Sequence, residues 1–161
     1  LLGISNKFIS QALNSFEGIK RRFDLHVNSS EKVYIDDYAH HPTEIIETIK
    51  TVKKMFVGRH LTVLFQPHLF SRTDDFKHEF AQSLSLADSL ILLDIYPARE
   101  KPIEGVDSKM LLDLCLNNSK KLISKNLVIK NLENQKIDIL LTIGAGDISD
   151  LVVPIKKMIS S

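Results

Sequence analysis

Apolar residues recur with helical spacing in five segments of this chain. In the first, residues 5–16, they lie on one face of a predicted short helix, and Gly18 stands where a left-handed residue ends many helices. The second begins at Pro42, a residue favoured in the first turn of a helix, and keeps its apolar face as far as Phe56. The other three predicted helices cover residues 76–84, 110–116 and 148–159. Pro154 should kink or delay the last of them, because proline lacks an amide donor.

Short apolar runs between these helices predict strands. Residues 19–27 and 32–35 flank an Asn-Ser-Ser turn and are typical of a hairpin. The other predicted strands are residues 61–65, 89–93, 127–130 and 137–143, with a loop over 66–73. Strands that alternate with helices predict an α/β fold with a mostly parallel sheet flanked by helices, preceded by the leading helix and the hairpin. We expect residues 1–161 to form a single domain.

Composition and charge agree with one globular domain. The chain has 161 residues, 43% of them apolar and 25% charged, which is enough to bury a core without disulfides or a structural metal. A single cysteine, Cys115, cannot form an internal bridge and indicates a reducing compartment, the cytoplasm. A net charge of +1 and the lack of a long apolar run predict neither nucleic-acid nor membrane binding.

The glycine positions exclude one kind of ATP-binding motif. None of the six begins the G-x-x-x-x-G-K-[ST] phosphate loop, so we expect no ATPase site of that type within this chain. The chain also starts at Leu1, directly ahead of a helical pattern, and we expect it to be a segment of a longer protein.

Polar clusters follow four of the predicted strands. They are residues 36–41, 66–72, 94–96 and 144–147. Exposed loops are commonly polar for no functional reason, but parallel strands bring their carboxyl ends to one edge of the sheet, where ligands bind. The four clusters together therefore predict a binding rim at that edge.

The histidines of this rim are candidate ligand-binding residues. His40 and His41 precede a helix whose N-terminus favours an anion, and His68 and Arg72 can grip a carboxylate from the next strand. A metal site is the alternative, although adjacent histidines project differently and no zinc-type spacing is present. A purely structural role for one histidine of the pair also stays open.

Other rim residues have two interpretations each. Arg21 and Arg22 can reach a phosphate or form part of a solvated strand face. Asp37 can bind a ribose or cap the helix that begins near Pro42. The Gly144-Ala145-Gly146 turn allows the backbone to approach a phosphate, but tight turns use glycine for geometry as well.

Four segments together resemble the C-terminal domain of the Mur ligases. They are DDYAHHPTE at 36–44, FQPHLFSRT at 65–73, IYPAREKPIEG at 95–105 and GAGDI at 144–148, and Arg21-Arg22-Phe23 matches the start of that domain. The segments occur in the family's order along essentially the whole chain. The second of them follows the pattern of the alanine-adding members rather than that of the related ligase that recycles a murein tripeptide.

The resemblance implies a Rossmann-like domain from a three-domain enzyme, whose UDP-sugar-binding and central ATPase domains lie outside this chain. It implies that ATP phosphorylates the carboxylate of UDP-N-acetylmuramate and that the amine of L-alanine then attacks the acyl phosphate. The family's Mg²⁺ would be held mainly by the other domains, with the central ATPase domain as the protein partner. We expect the isolated chain to be inactive.

The resemblance also implies residue roles. It places the amino acid against Tyr38, His40, His68 and Arg72. The nucleotide would lie against Arg22 and Asp37, and no residue of this chain would react covalently. Leu69 departs from the family pattern, which often has arginine at this position. Because that arginine is absent, we expect Arg72 and His40 to contribute more to binding the carboxylate. A stand-alone nucleotide or amino-acid binding module is the alternative.

Overall fold

A six-stranded sheet forms the centre of the fold. The structure is a computed structural model that describes residues 3–16 and 18–160. The strands are β1 (Asp24–Asn28), β2 (Val33–Asp37), β3 (Leu61–Phe65), β4 (Ser89–Leu92), β5 (Ser119–Leu122) and β6 (Ile139–Ile143). Their order across the sheet is β1-β2-β6-β3-β4-β5, and every pair is parallel except the β1–β2 hairpin. The predicted α/β class, mostly parallel sheet and N-terminal hairpin are confirmed.

Helices follow most of the strands. They are α1 (Asn6–Asn14), α2 (Pro42–Met55), α3 (Phe70–Asp75), α4 (Lys77–Leu84), α5 (Ser108–Leu114), α6 (Val128–Glu133) and α7 (Val152–Ser160). A 3₁₀ turn at Asp147–Leu151 precedes α7, so the expected delay of that helix ahead of Pro154 is confirmed. Among the described residues, no helix has the length and apolar character needed to cross a membrane.

Both faces of the sheet are covered by apolar side chains. One face packs against α2, α4 and α5, with Ile45, Phe80 and Leu111 fully or almost fully buried. The other packs against α6, α7 and the preceding 3₁₀ turn, with Leu132 and Ile155 buried. Because β3 and β6 are buried along their whole length, the middle of the sheet is rigid and its loops are the parts free to bind ligands.

One prediction about the second half of the sheet was wrong. Residues 127–130 were predicted as a strand, but they belong to a 3₁₀ turn and α6, because Val128 and Leu132 pack into the core at helical spacing. The strand is instead β5, which pairs with β4 at the edge of the sheet. Its sequence, Ser-Lys-Lys-Leu, has the polar character that edge strands tolerate and so carries no apolar signal.

The predicted loop over residues 66–73 was also wrong in its second half, where α3 begins at Phe70. Leu69, with φ of 70°, ends the extended segment and turns the chain into the helix. Glu100, from the loop after β4, then accepts hydrogen bonds from the amide and the hydroxyl of Ser71. A long-range contact therefore fixes the start of a helix that local pattern does not reveal.

The predicted helix α1 is confirmed, but it does not pack against the core. It has no buried residue, and Phe8, Leu13 and Phe16, around its apolar face, are each more than 60% exposed.

Candidate functional site

The loops that follow β2, β6, β3 and β4 meet at one edge of the sheet. These four strands are adjacent and parallel, so their carboxyl ends bring the four polar clusters together. The predicted rim is therefore present in the structure. Its residues come from segments that are far apart in the sequence and are held by the buried strands behind them.

The loop after β2 ends in a capping box at the start of α2. His41 is the N-cap, and its Nδ1 accepts a hydrogen bond from the Thr43 amide at 3.3 Å. Oε2 of Glu44 accepts from the amides of His40 and His41 at 2.9 and 3.1 Å. Partial burial opposes ionisation, but these two amides and the nearby imidazoles lower the pKa of Glu44 below its ordinary value.

His41 consequently has a structural role here. Besides capping α2, its ring packs edge-on against Phe76, with the ring centroids 4.9 Å apart. Its inclusion among the substrate-binding residues stays a prediction.

The rings of Tyr38 and His40 meet edge-on at the rim. Their centroids are 5.2 Å apart, and Nδ1 of His40 lies 3.1 Å from the carbonyl oxygen of Tyr38. Tyr38 is 45% exposed, which leaves its ring and hydroxyl accessible to a ligand. The His40 ring meets that of His68 edge-on, with the centroids 6.3 Å apart, so the loops after β2 and β3 bring their histidines together.

His68 and Arg72 form the part of the rim that follows β3. Nη1 of Arg72 lies 3.5 Å from Nδ1 of His68, and the His68 ring stacks on Tyr96 at 5.8 Å. Burial, and after it the positive charge of Arg72, lowers the pKa of His68 below its ordinary value of 6.5. A neutral imidazole beside a permanent cation is suited to bind a carboxylate.

An open cleft lies beside Tyr38 and continues along α2. It has a volume of about 550 Å³ and is lined among others by Arg22, Asp37, His40, Glu44 and Thr48. The Arg22 side chain is exposed at this cleft. The structure therefore brings the two predicted nucleotide residues next to the predicted amino-acid residues.

Both carboxylate oxygens of Asp37 accept hydrogen bonds from backbone amides. Oδ1 accepts from the Ala39 amide and Oδ2 from the Phe23 amide, each at 2.7 Å. Burial raises the pKa of Asp37 above its ordinary value, although these two amides act in the opposite direction. Asp37 thus ties the turn before β1 to the loop after β2, and it does not cap α2, since His41 holds that position.

The glycine turn after β6 is packed closely on its neighbours. A Cβ at Gly144 would lie 2.8 Å from the Gln66 carbonyl oxygen, and one at Gly146 would lie 2.5 Å from Oε1 of Gln66 and 2.7 Å from Cβ of Tyr96. Gln66 in turn bonds Asp147 and the amide of Ile148. The geometric interpretation of these glycines is the one that the contacts favour.

Sequence patterns missed the contacts made by three residues of the site. Arg21 bridges two rim loops, Gln66 links β3 to the glycine turn, and Glu100 holds α3. All three lie within segments that resemble the Mur ligases, so the motifs marked the positions but not the contacts.

The described residues contain no group of three or more His, Cys, Asp or Glu side chains arranged to hold a metal ion. The pair His40 and His68 lacks a third donor of that kind.

The comparisons with known proteins all indicate the same family. Residues 21–148 match the family described as Mur ligase, glutamate ligase domain. The chain is 50% identical to the UDP-N-acetylmuramate–L-alanine ligase of Cytophaga hutchinsonii over 97% of its length, and 51% identical to that of Flavobacterium psychrophilum over 96%. It spans about a third of each relative, 34% and 35%.

Solved structures agree with the sequence relatives. The crystal structure of the UDP-N-acetylmuramate-alanine ligase from Thermotoga maritima superposes with a TM-score of 0.70 at 30% identity, over 92% of this chain and 32% of that one. A murein peptide ligase from Psychrobacter arcticus has the same TM-score of 0.70 at 24% identity, over 99% of this chain and 34% of that one. The second likeness shows a shared fold.

Proposed function

This chain belongs to the Mur ligases, and we propose that it is the C-terminal domain of an ATP-dependent enzyme that joins L-alanine to UDP-N-acetylmuramate in peptidoglycan precursor synthesis. The observation that carries the proposal is the rim where Tyr38, His40, His68 and Arg72 meet, in a chain about half identical to named alanine ligases over nearly all its length.

Alanine has a carboxylate to be held and an amine to be left free. Arg72 is the permanent cation of the rim, and a guanidinium can offer two parallel hydrogen bonds to a carboxylate. The contact with Arg72 occupies Nδ1 of His68, which leaves the Nε2 proton as a further donor. With Leu69 where the family often has arginine, Arg72 is the main anchor of the carboxylate.

His40 and Tyr38 close the other side of the amino-acid site. The His40 and His68 rings meet edge-on with their centroids 6.3 Å apart, which is contact distance for aromatic rings, so the amino acid would lie against this pair rather than between the rings. Held there, the amine would be directed at the acyl phosphate formed on UDP-N-acetylmuramate, attack its carbonyl carbon and expel phosphate. The contribution of this domain is then positioning, which lowers the entropic part of the barrier.

The nucleotide would lie on the neighbouring side of the rim. Arg22 is an exposed cation at the cleft beside Asp37, suited to a phosphate oxygen. The central ATPase domain of the parent chain is the proposed partner, and closure of this domain over it would exclude water from the acyl phosphate. As the family resemblance implies, the proposal places Mg²⁺ mainly on the other domains of the parent chain.

The cellular compartment is proposed from the cysteine. Burial raises the pKa of the Cys115 thiol to about 11, so the single thiol is unreactive as well as unpaired, as in many proteins of the reducing cytoplasm.

The test is an amide-forming assay on the full-length parent enzyme with ATP, L-alanine and UDP-N-acetylmuramate. We expect ADP, phosphate and the alanyl product in equal amounts, with all three substrates required, and no product from the 161-residue chain alone. Ligation of an alanine-led tripeptide in place of alanine would identify the recycling ligase instead. Binding of ATP or alanine to the isolated chain, with no ligation by the full-length enzyme, would identify a binding module.

A further inference from the structure

We propose that Arg21, held by Asp36, is a positioning residue that couples the nucleotide side of the rim to its amino-acid side. This inference rests on the proposed function, because it concerns how the residues assigned to the two ligands are kept in register. Arg21 lies outside the cleft residues and is adjacent to Arg22, which lines the cleft.

The guanidinium of Arg21 connects the loops after β2 and β6. Its Nε donates to Oδ2 of Asp36 at 2.9 Å, and its Nη2 donates to the carbonyl oxygen of Gly144 at 2.6 Å. Its Cζ lies 5.3 Å from the centre of the Tyr38 ring. One planar group therefore contacts the end of β2, the glycine turn and a predicted alanine-binding ring.

A buried chain of hydrogen bonds fixes Asp36 behind this contact. Oδ1 of Asp36 accepts from the hydroxyl of Thr142 at 2.6 Å, and the Thr142 oxygen lies 3.2 Å from the hydroxyl of Tyr34. Since the threonine proton is donated to the carboxylate, Tyr34 donates to threonine. All three residues are fully buried. A carboxylate held on both oxygens in this way keeps the guanidinium in one orientation.

The backbone around Arg22 is held in an uncommon conformation. Arg21 and Phe23 have φ of 60° and 48°, in the left-handed region that costs energy for residues other than glycine. The Arg21 carbonyl accepts from the Tyr38 amide and the Phe23 amide donates to Asp37, both at 2.7 Å. The turn that presents Arg22 is thus fastened on each side to the loop after β2.

These contacts give the two adjacent arginines different roles. Arg22 is directed to the nucleotide, whereas Arg21 points its charge at buried Asp36 and sets the relative position of Arg22 and Tyr38. Lysine cannot replace Arg21 in this role, because the contacts to Asp36 and Gly144 come from two nitrogens of one rigid plane.

The test compares Arg21→Lys, Asp36→Asn, the double variant and the control Lys20→Ala, all in the full-length enzyme. Lys20 is exposed and next to Arg21. For Arg21→Lys we expect the KM values for ATP and for alanine both to rise about tenfold, with an unchanged KM for UDP-N-acetylmuramate, which the resemblance assigns to another domain. Lys20→Ala should keep all three values.

Two further readouts separate positioning from a merely structural role. The KM values of the double variant should match those of the more impaired single variant, because both changes break one contact. Hydrogen exchange of the Tyr38 amide, which donates to Arg21, should be faster in Arg21→Lys than in the control. Should Asp36→Asn fail to fold, Arg21→Lys, which keeps the charge, decides the question alone.

Unchanged KM values for ATP and alanine in folded Arg21→Lys would overturn the inference. So would a loss of activity that only follows a lower melting temperature, or an equal rise in KM for all three substrates. A wild-type enzyme without alanine-ligating activity would instead remove the proposed function, so the two failures are distinguishable.

Discussion

Nη1 of Arg72 lies 3.5 Å from Nδ1 of His68, and this pair sets the charge of the rim. A guanidinium can only donate, so Nδ1 accepts and the imidazole carries its proton on Nε2. The site therefore has a permanent cation beside a neutral donor rather than two cations. This arrangement binds a carboxylate without the repulsion that a second positive charge would create.

Stability should depend on pH through His68. Its pKa is lowered in the folded chain, by burial first and then by Arg72. The unfolded chain therefore binds a proton first as the pH falls below about 6.5. The stabilising contribution of neutral His68 is present above this pH and is lost as the pH falls from there towards the lowered pKa. Melting temperatures between pH 8 and pH 5 should show this loss in the wild type and a smaller one in His68→Gln.

Alanine binding should depend on Arg72 and His40. Loss of a charge-assisted hydrogen bond costs about 1.5–3 kcal/mol, so Arg72→Ala should raise the KM for alanine by roughly tenfold to a hundredfold. His40→Ala should raise it less, and the KM for UDP-N-acetylmuramate should change in neither. Steady-state kinetics of the full-length enzyme measure these values, with His78→Ala, on the exposed face of α4, as a control. Unaltered alanine kinetics in both variants would contradict the assignment of Arg72 and His40 to the alanine site.

Glu44 should stabilise the start of α2. Glu44→Ala removes the acceptor for the His40 and His41 amides and should lower the free energy of unfolding by about 1 kcal/mol. Glu44→Gln keeps one acceptor oxygen and should lose less. Urea unfolding measures both against Glu47→Ala, whose pairing with Lys50 on the exposed face of the same helix contributes only a few tenths of a kcal/mol. Equal losses at the two glutamates would contradict the capping role.

Gly146 should tolerate no side chain. Its φ of −88° suits any residue, so a loss would be steric, from the contacts with Gln66 and Tyr96. Gly146→Ala should lower the free energy of unfolding by about 1–3 kcal/mol, and Gly146→Ser should lower it further. Denaturant melts check this order. A neutral Gly146→Ala would show that the turn is not closely packed.

Leucines on α1 and α5 should differ sharply under the same substitution. Leu13 is 68% exposed, whereas Leu111 is fully buried. Leu13→Ala should change the free energy of unfolding of the 161-residue chain by less than about 0.5 kcal/mol, and Leu111→Ala should lower it by about 2–5 kcal/mol. A large loss at Leu13 would mean that α1 packs on the domain in solution.

Periodicity predicted most of the elements whose own residues fill the core, with α6 as the exception. The apolar face of α2 and the buried run of β3 are local signals, and both elements were placed correctly. Edge strand β5 carries Lys120 and Lys121, which bury little, so nothing in its pattern marked it. Helix α3 starts where Glu100 reaches it from another loop, a contact that no local pattern contains.

The rim was predictable as a set of strand ends, but its internal contacts were not. Polar residues after parallel strands had to meet at one edge, so His40 and His68 were brought together as expected. The left-handed conformation of Arg21 and its bond to buried Asp36 depend on tertiary contacts that favour a locally costly conformation. Such conformations are invisible to residue propensities because propensities describe the unstrained chain.

The place of β6 in the sheet has a consequence for how the chain folds during synthesis. β6 is the last strand made, yet it lies between β2 and β3 and pairs with both. Until it emerges from the ribosome, the hairpin β1–β2 and the sheet β3–β4–β5 have no strand to join them, and their inner edges stay open. Contacts of such high sequence separation form late and slowly. The domain should therefore remain protease-sensitive until β6 has been translated.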